Sequence, residues 1–397
     1  MGDGPRALRP DEWDQLNAVV STVFRPSMFQ DYPQLFNEPN RENLRVVADD
    51  GKVVCHVGMT ERAASLLGCR IDVCCIGAVA TLDEYRGKGY ASQAFQDTCD
   101  KAAADGVDVM LISGGRGLYT RVGCRQVGQD LDFSLDAAAA SRLASARPPG
   151  GGGFAIRQAG TESIPALSRL YAAEGVRFIR QREDWEMAFG CGVVMNTPSD
   201  FWGVWLGDVL VAYLVVHQPD KARGRKPDEP VAVRVVEYAG QRAPVQAALP
   251  ELLRHYGAAR INVHVQGSDP VLGQVLCMAS ETQGTPSGSS GTIRILNFVQ
   301  LMERCRPLLL ERIGRERTAG LTFHADAAPG AAGGGFAIRR GQEEVRVRDL
   351  SSLALFLFGS HKPVAGPDSE AEGDAALLKD LREALPLPSL WYGLSYV

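Results

Sequence analysis

The sequence predicts an α/β (α+β) protein: two tandem mixed-sheet domains followed by an α+β domain. Three observations carry this. The chain has 397 residues, more than one domain ordinarily holds. Two stretches rich in Gly, Pro, Ser and Thr break it, at 147–153 and 281–291. On either side of the first break the same order recurs, a helix, three strands, a helix and a strand. The implied domains are 1–146, 154–283 and 291–397.

The elements follow from spacing. A helix is expected over 11–24, where Pro10 precedes it and Trp13, Leu16, Val19, Val20 and Val23 recur at helical intervals. Residues 25–43 are irregular and carry Phe29, Tyr32 and Phe36. Strands at 44–48 and 53–60 flank Asp49-Asp50-Gly51, a hairpin turn. A second turn near 67–69 leads into an apolar strand at 73–81. A helix at 92–105 stops at Gly106, and strands follow at 107–113 and 129–135. An Ala-rich helix at 137–146 reaches the first break. In the second domain a helix at 164–174 precedes strands at 201–206, 209–217 and 231–238, a helix at 243–256 and a strand at 261–265. The third holds a strand at 293–296, a helix at 298–310, and strands at 321–325, 336–340 and 345–348. Asp349 then caps an apolar helix that Gly359 ends, and 365–376 reads as an acidic loop.

Composition narrows the function. A formal charge of −5 argues against a dedicated binder of nucleic acid or anionic membrane. No apolar run approaches the length of a membrane span, and the first residues lack a signal-peptide core. Nine cysteines are dispersed without C-x-x-C spacing, which implies reduced thiols and a cytoplasmic protein. Six isolated histidines give no support to a metal site, and none is expected.

The informative stretch is the junction after the strand at 73–81, Arg86-Gly87-Lys88-Gly89-Tyr90-Ala91. Two glycines allow close approach of a ligand to the backbone, and the helix beyond presents free N–H groups with a partial positive charge. The result is an anion site built from backbone. It lacks the G-x-G-x-x-G and the G-x-x-x-x-G-K-[ST] patterns of nucleotide loops. It fits R-x-x-G-x-A, and so resembles the pyrophosphate loop of GNAT-superfamily acyltransferases. The resemblance implies coenzyme A as the anion. Downstream, Leu118-Tyr119-Thr120-Arg121-Val122-Gly123-Cys124 resembles the L-Y-x-R-x-G-F segment of the same superfamily, with Cys124 for Phe.

The second domain looks like a degenerate copy, because no R-x-x-G-x-A follows Glu237-Tyr238-Ala239-Gly240. The run D-L-x-x-L-x-x-x-x-F-G at 349–359 resembles sterol-carrier-protein-like domains. The three parts in this order resemble the enhanced-intracellular-survival (Eis) type of acetyltransferase. That likeness implies acetylation of amines, among them aminoglycosides, polyamines and lysine side chains, and assembly as a homo-oligomer.

The resemblance also implies roles. The strand bearing Val79, Ala80 and Thr81 splays from its neighbour and pairs with pantetheine amides, with the Val79 N–H meeting the thioester carbonyl. The amides of Arg86, Gly87, Lys88, Gly89, Tyr90 and Ala91 take the pyrophosphate of acetyl-CoA, and the Arg86 and Lys88 charges sit beside it. Tyr119 is the candidate acid for the leaving thiolate, since a phenol of pKa about 10 protonates a thiolate of pKa about 8.5. Ser113, at a strand end, orients Tyr119 or the cofactor. Residues 25–43 line the acceptor or pack the loop onto the core.

The base is open. In Eis-type proteins the chain's own terminal carboxylate reaches the active site. Here the last residues, from Trp391 to Val397, are uncharged and aromatic, which suggests docking. Val397 is the candidate; Glu61, His56 or a water are the alternatives. A different class of function, a lipid carrier with a vestigial acyltransferase domain, competes with this reading.

Overall fold

The computed structural model describes residues 2–145, 153–221, 229–289, 291–331, 333–360 and 371–397. The first predicted linker, apart from residue 153, and positions 365–370 of the acidic loop lie outside the described residues. The chain forms two compact units: Met1–Gly128 with Ser289–Ser389 and Val397, and Gln129–Gly288 with Leu390–Tyr396.

In the first unit a mixed sheet runs in the order Asp3–Ala7, Leu44–Asp49, Lys52–Leu66, Cys69–Thr81, Val109–Ile112 and Thr292–Ile295. Cys69–Thr81 and Val109–Ile112 pair in parallel; the other neighbours are antiparallel. The parallel pair needs a crossover, and the helix Tyr90–Ala104 supplies it. Its buried stripe of Ala94, Phe95, Cys99 and Ala102 packs on Val57, Met59, Cys74 and Met110. Phe95 is fully buried, so its side chain alone removes roughly 2–3 kcal/mol worth of apolar surface from water.

The strand that the sequence places at the head of the third domain is thus the edge strand of this sheet. Arg294, on that strand, is fully buried, and its guanidinium donates to Cys99 Sγ at 2.8 Å and to the Gly330 carbonyl at 2.7 Å. Arg304 bridges Asp72 at 2.6 Å and Asp108 at 2.7 Å. A separate antiparallel sheet follows: Leu321–Ala325, Phe336–Arg340, Glu343–Val347 and Glu372–Gly373. The expected helix is present as Leu350–Phe358, with Asp349 accepting from the Ser352 N–H. The helix expected at 298–310 is two, Phe298–Arg304 and Arg306–Thr318, with Pro307 at the start of the second.

The second unit repeats the mixed pattern, in the order Thr285–Ser287, Asp130–Leu135, Arg260–Val265, Ala232–Gly240, Val209–His217, Thr197–Leu206 and Ala155–Gln158. Ala232–Gly240 and Arg260–Val265 form its parallel pair. Asp130–Leu135, which the sequence reading gives to the first sheet, pairs antiparallel with Arg260–Val265. The helix behind it, Ala137–Ser145, buries Ala139, Ala140 and Leu143 against Leu249 and Leu252. The expected linker at 281–291 contains a paired strand, Thr285–Ser287. Residues 390–396 are held within this unit. Trp391 stacks on His264 at 3.6 Å and donates to the Val236 carbonyl at 2.7 Å. Glu237 accepts from the Leu394 N–H at 3.0 Å, from Tyr213 at 2.7 Å and from Arg180 at 2.6 Å. A side chain at Gly393 would collide with this carboxylate. Among the described residues no helix is long and apolar enough to cross a membrane.

Candidate active site

The site is built on the end of Cys69–Thr81. Its parallel pairing covers Val73 to Ile76 and ends there, against Val109 to Ile112. On the other edge, Gly77 pairs with Gly58 and Ala80 with His56, so Ala78 and Val79 together face Val57. This is a β-bulge, which re-aims the strand. Ala78 carries it at φ 50°, a conformation that costs a non-glycine residue on the order of 1 kcal/mol or more. The parallel ladder ends at Ile76 and the bulge follows at Ala78 and Val79, so both lie at or just before the three residues expected to bind the cofactor, Val79, Ala80 and Thr81.

Beyond Thr81 a turn at Asp83–Tyr85 leads to Arg86 and the two glycines. Gly87 and Gly89 have φ of 79° and 83°. Gly89 is the N-cap of Tyr90–Ala104, and no side chain caps it. A methyl group built at Gly87 would meet nothing within 4 Å, and one at Gly89 only Gln93 Nε2 at 3.7 Å. The first turn of a 15-residue helix therefore opens onto free space with its N–H groups available. These residues fit a pyrophosphate held by backbone. The two cations beside it are paired within the chain. Arg86 reaches Asp83 at 2.8 Å, while Lys88 lies 3.4 Å from Asp49 and 4.6 Å from the Tyr85 ring centre. Tyr90 donates its hydroxyl proton to Asp49 at 2.9 Å.

Ser113 directly follows the strand Val109–Ile112. Tyr119 lies on the short helix Gly117–Thr120 and is 4% exposed. Its ring centre is 5.4 Å from that of Phe95, so it is anchored by the same helix that the glycine turn at 87–89 opens. Burial pushes its phenol above the ordinary value, with Arg116 opposing, so it is protonated at neutral pH. Cys124, which replaces the expected Phe, is a fully buried core residue.

Val397 is 4% exposed. Its carboxyl group lies against Gly77: a Cβ built there would be 2.5 Å from the carboxyl carbon and 2.8 Å from its oxygen. The terminus therefore meets the central strand one residue before the bulge, where a glycine leaves room for it. Of the alternative bases, Glu61 pairs with Cys74, well down the strand, and lies near Lys101. Burial and the Asp105 carboxylate push Glu61 up to about 7. His56 is fully buried beside the bulge, with Nδ1 2.8 Å from the Ala78 carbonyl oxygen. The 25–43 segment and the first helix form an open groove of ≈ 390 Å³ lined by Trp13, Asp14, Asn17, Phe29, Phe36 and Glu38. Phe29 and Phe36 stack at 4.3 Å, Trp13 meets Phe29 edge-on, and Phe36 lies 5.9 Å from His56. Among the described residues no cluster of three or more His, Cys, Asp or Glu is placed to hold a metal ion.

The corresponding junction in the second unit is closed by the chain itself. After Gly240, at φ 101°, the helix Arg242–His255 begins, and the Gly240 N–H donates to Glu174 Oε1 at 2.9 Å. Arg242 binds both oxygens of Glu174 and reaches Asp269 at 2.7 Å. A carboxylate of the protein thus sits at the start of this helix.

Residues 5–127 match the family model described as the acetyltransferase (GNAT) domain. The matched segment is similar to GNAT acetyltransferase domains, and this similarity supports an acetyl-CoA-dependent N-acetyltransferase, with acetyl-CoA as co-substrate. No curated protein matches the sequence. Solved structures resemble the whole GNAT-containing chain in fold. A GCN5-related N-acetyltransferase from Anabaena variabilis has a TM-score of 0.67 at 13% identity, covering 98% of this chain and 99% of that one. One from Kribbella flavida has a TM-score of 0.63 at 15% identity, covering 98% and 97%. Eis1 from Mycobacterium abscessus has a TM-score of 0.62 at 14% identity, covering 99% of each chain.

Proposed function

We propose that the GNAT domain transfers the acetyl group of acetyl-CoA directly to a primary amine of the aminoglycoside, polyamine or lysine type, in a ternary complex. Val397 acts as base and Tyr119 as acid. Acetyl-CoA supplies the thioester. The amides from Arg86 to Ala91 hold its pyrophosphate, and the freed edge at Val79 to Thr81 orients the acyl end.

The observation that carries the reading is the seat of the Val397 carboxylate on Gly77, next to the bulge. An ionised carboxylate accepts only, so it attracts an ammonium and takes its proton. The groove supports a cationic acceptor. Asp14 supplies negative charge, Glu38 is paired with Arg41 at 2.8 Å and accepts from the Trp13 indole at 3.0 Å, and Trp13, Phe29 and Phe36 supply aromatic faces that attract cations. Tyr119 then gives its proton to the departing thiolate. The second unit is proposed to bind no coenzyme A, because Glu174 already takes the amide and guanidinium donors at its helix start.

The test is thiol release from acetyl-CoA with a panel of polyamines, aminoglycosides and lysine peptides. Release that depends on a primary amine, with one acetyl gained per thiol freed, supports the reading. Release that no amine stimulates overturns it.

A further inference from the structure

His56 has a fully buried imidazole with two different nitrogens. Nδ1 faces the Ala78 carbonyl at 2.8 Å. A carbonyl only accepts, so Nδ1 carries the proton and donates it there. The tautomer is thereby fixed, and Nε2 is left as a bare lone pair. Nε2 is buried and has no hydrogen-bond partner among the described residues. Burial, against the bond to Ala78, holds the ring down to about 4, so it is neutral at physiological pH. A buried acceptor without a donor costs folding free energy, and such groups are rare.

The neighbours indicate what that lone pair is for. Gly58 pairs with Gly77 across the two strands, and directly opposed residues point to one face of a sheet. A Cβ built at Gly58 would lie 2.9 Å from His56 Cε1. One built at Gly77 would lie 2.5 Å from the Val397 carboxyl carbon. The imidazole and the terminal carboxylate therefore stand on the same face, over neighbouring glycines, with the Leu35 side chain also reaching Gly58, its Cδ1 3.0 Å from a Cβ built there. In the resting state both are acceptors, and neither has a proton to offer the other. The reaction supplies one.

We infer that His56 is the positioning residue of the terminal base: its Nε2 receives the hydrogen bond of the Val397 carboxyl group once that group has taken the acceptor's proton. The inference rests on the proposed role of Val397. The balance is simple. The ammonium nitrogen gives one proton to a carboxylate oxygen and keeps its lone pair for attack. The new O–H then points to Nε2, with Nδ1–H still held by Ala78. The lone pair left unpaired in the free enzyme is satisfied only after deprotonation, so its energy favours the reactive amine.

Two variants test this in the full-length protein. His56→Asn keeps an N–H for the Ala78 carbonyl and removes Nε2. His56→Phe fills the ring volume and removes both nitrogens. Both are expected to lower kcat by about 10- to 100-fold, the worth of one hydrogen bond to a charged or ionising group. KM and Kd for acetyl-CoA stay within about twofold, and the Asn variant keeps a near-normal melting temperature. In a background with Gly-Ser appended after Val397, His56→Asn should cost little more, because the two act as one unit. A purely structural role would move the melting temperature and acetyl-CoA binding together. The inference is overturned if His56→Asn keeps wild-type kcat, if its loss appears equally in KM, or if its full effect persists in the tailed background. Wild-type turnover with an active Asn variant overturns the role of His56 alone. A wild type silent toward every amine overturns the proposed reaction as well.

Discussion

Gly77→Ala isolates the terminal carboxylate from everything else in the site. Gly77 sits in ordinary strand conformation, without a positive φ, so alanine is tolerated by the backbone. The added methyl is tolerated by nothing else. It would lie 2.5 Å from the Val397 carboxyl carbon, 2.8 Å from its oxygen and 3.1 Å from Cγ2, where ordinary contact begins at 3.4 Å. Gly77 is held in the sheet by its pairing with Gly58, so the displacement falls on the terminus. The carboxylate must therefore retreat by about 1 Å, a displacement that typically costs a catalytic group about 10²-fold. Steady-state thiol release at saturating amine should show that loss in kcat. Calorimetry should show unchanged acetyl-CoA affinity, because the proposed phosphate loop begins beyond Thr81. Combining Gly77→Ala with deletion of Val397 should cost no more than the larger single effect. Wild-type kcat in Gly77→Ala would refute the reasoning, since a carboxylate that can be pushed aside without loss is not the base.

Three further outcomes are expected. Gly89→Val should abolish acetyl-CoA binding by calorimetry: it forces a β-branched residue to φ 83° at the helix N-cap and fills the open approach to the N–H groups. Tyr119→Phe should lower kcat by about 10²- to 10⁴-fold while leaving KM for acetyl-CoA nearly unchanged; unchanged turnover would return Tyr119 to packing against Phe95. His264 is lowered by burial but raised more strongly by Asp130 and Asp132, for a net rise above 6.5. A raised folded-state value means that its stabilisation is complete below about 6.5 and is lost as pH rises through the higher folded value. His264→Gln should flatten that limb of the melting-temperature profile, and an unchanged slope would assign the pH dependence elsewhere.

The local elements and the glycine turn at 86–91 that opens a helix are legible because hydrophobic periodicity and glycine placement are local signals. Trp13–Val23, Tyr90–Ala104 and Leu350–Phe358 lie close to the expected ranges. Pairing partners were not legible. Asp130–Leu135 and Thr292–Ile295 are short alternating strands whose sequences do not encode which sheet edge they complete. The helices Arg182–Cys191 and Pro270–Ser280 are additions to the expected elements, although Asp269-Pro270 is a good start signal: Asp269 accepts from the Leu272 N–H at 3.2 Å. At the site, the loop and Tyr119 stood out by residue type. The bulge did not, because alanine at φ 50° gives no sequence sign of its strain. Gly58 and Gly77 read as ordinary strand glycines, and only the fold shows that their missing side chains make room for a chain end and an imidazole.

The most direct measurement is amine-dependent acetyl transfer by two proteins that differ only at the chain end, the wild type and the form with Gly-Ser appended after Val397. Every side chain is kept in both, and the charged chain end is moved off Gly77. The expected result is equal acetyl-CoA affinity and equal melting temperature, with amine acetylation followed by mass spectrometry falling by about 10²-fold or more in the tailed form. Equal acetylation by both would contradict it, and would put the base on a side chain or a water.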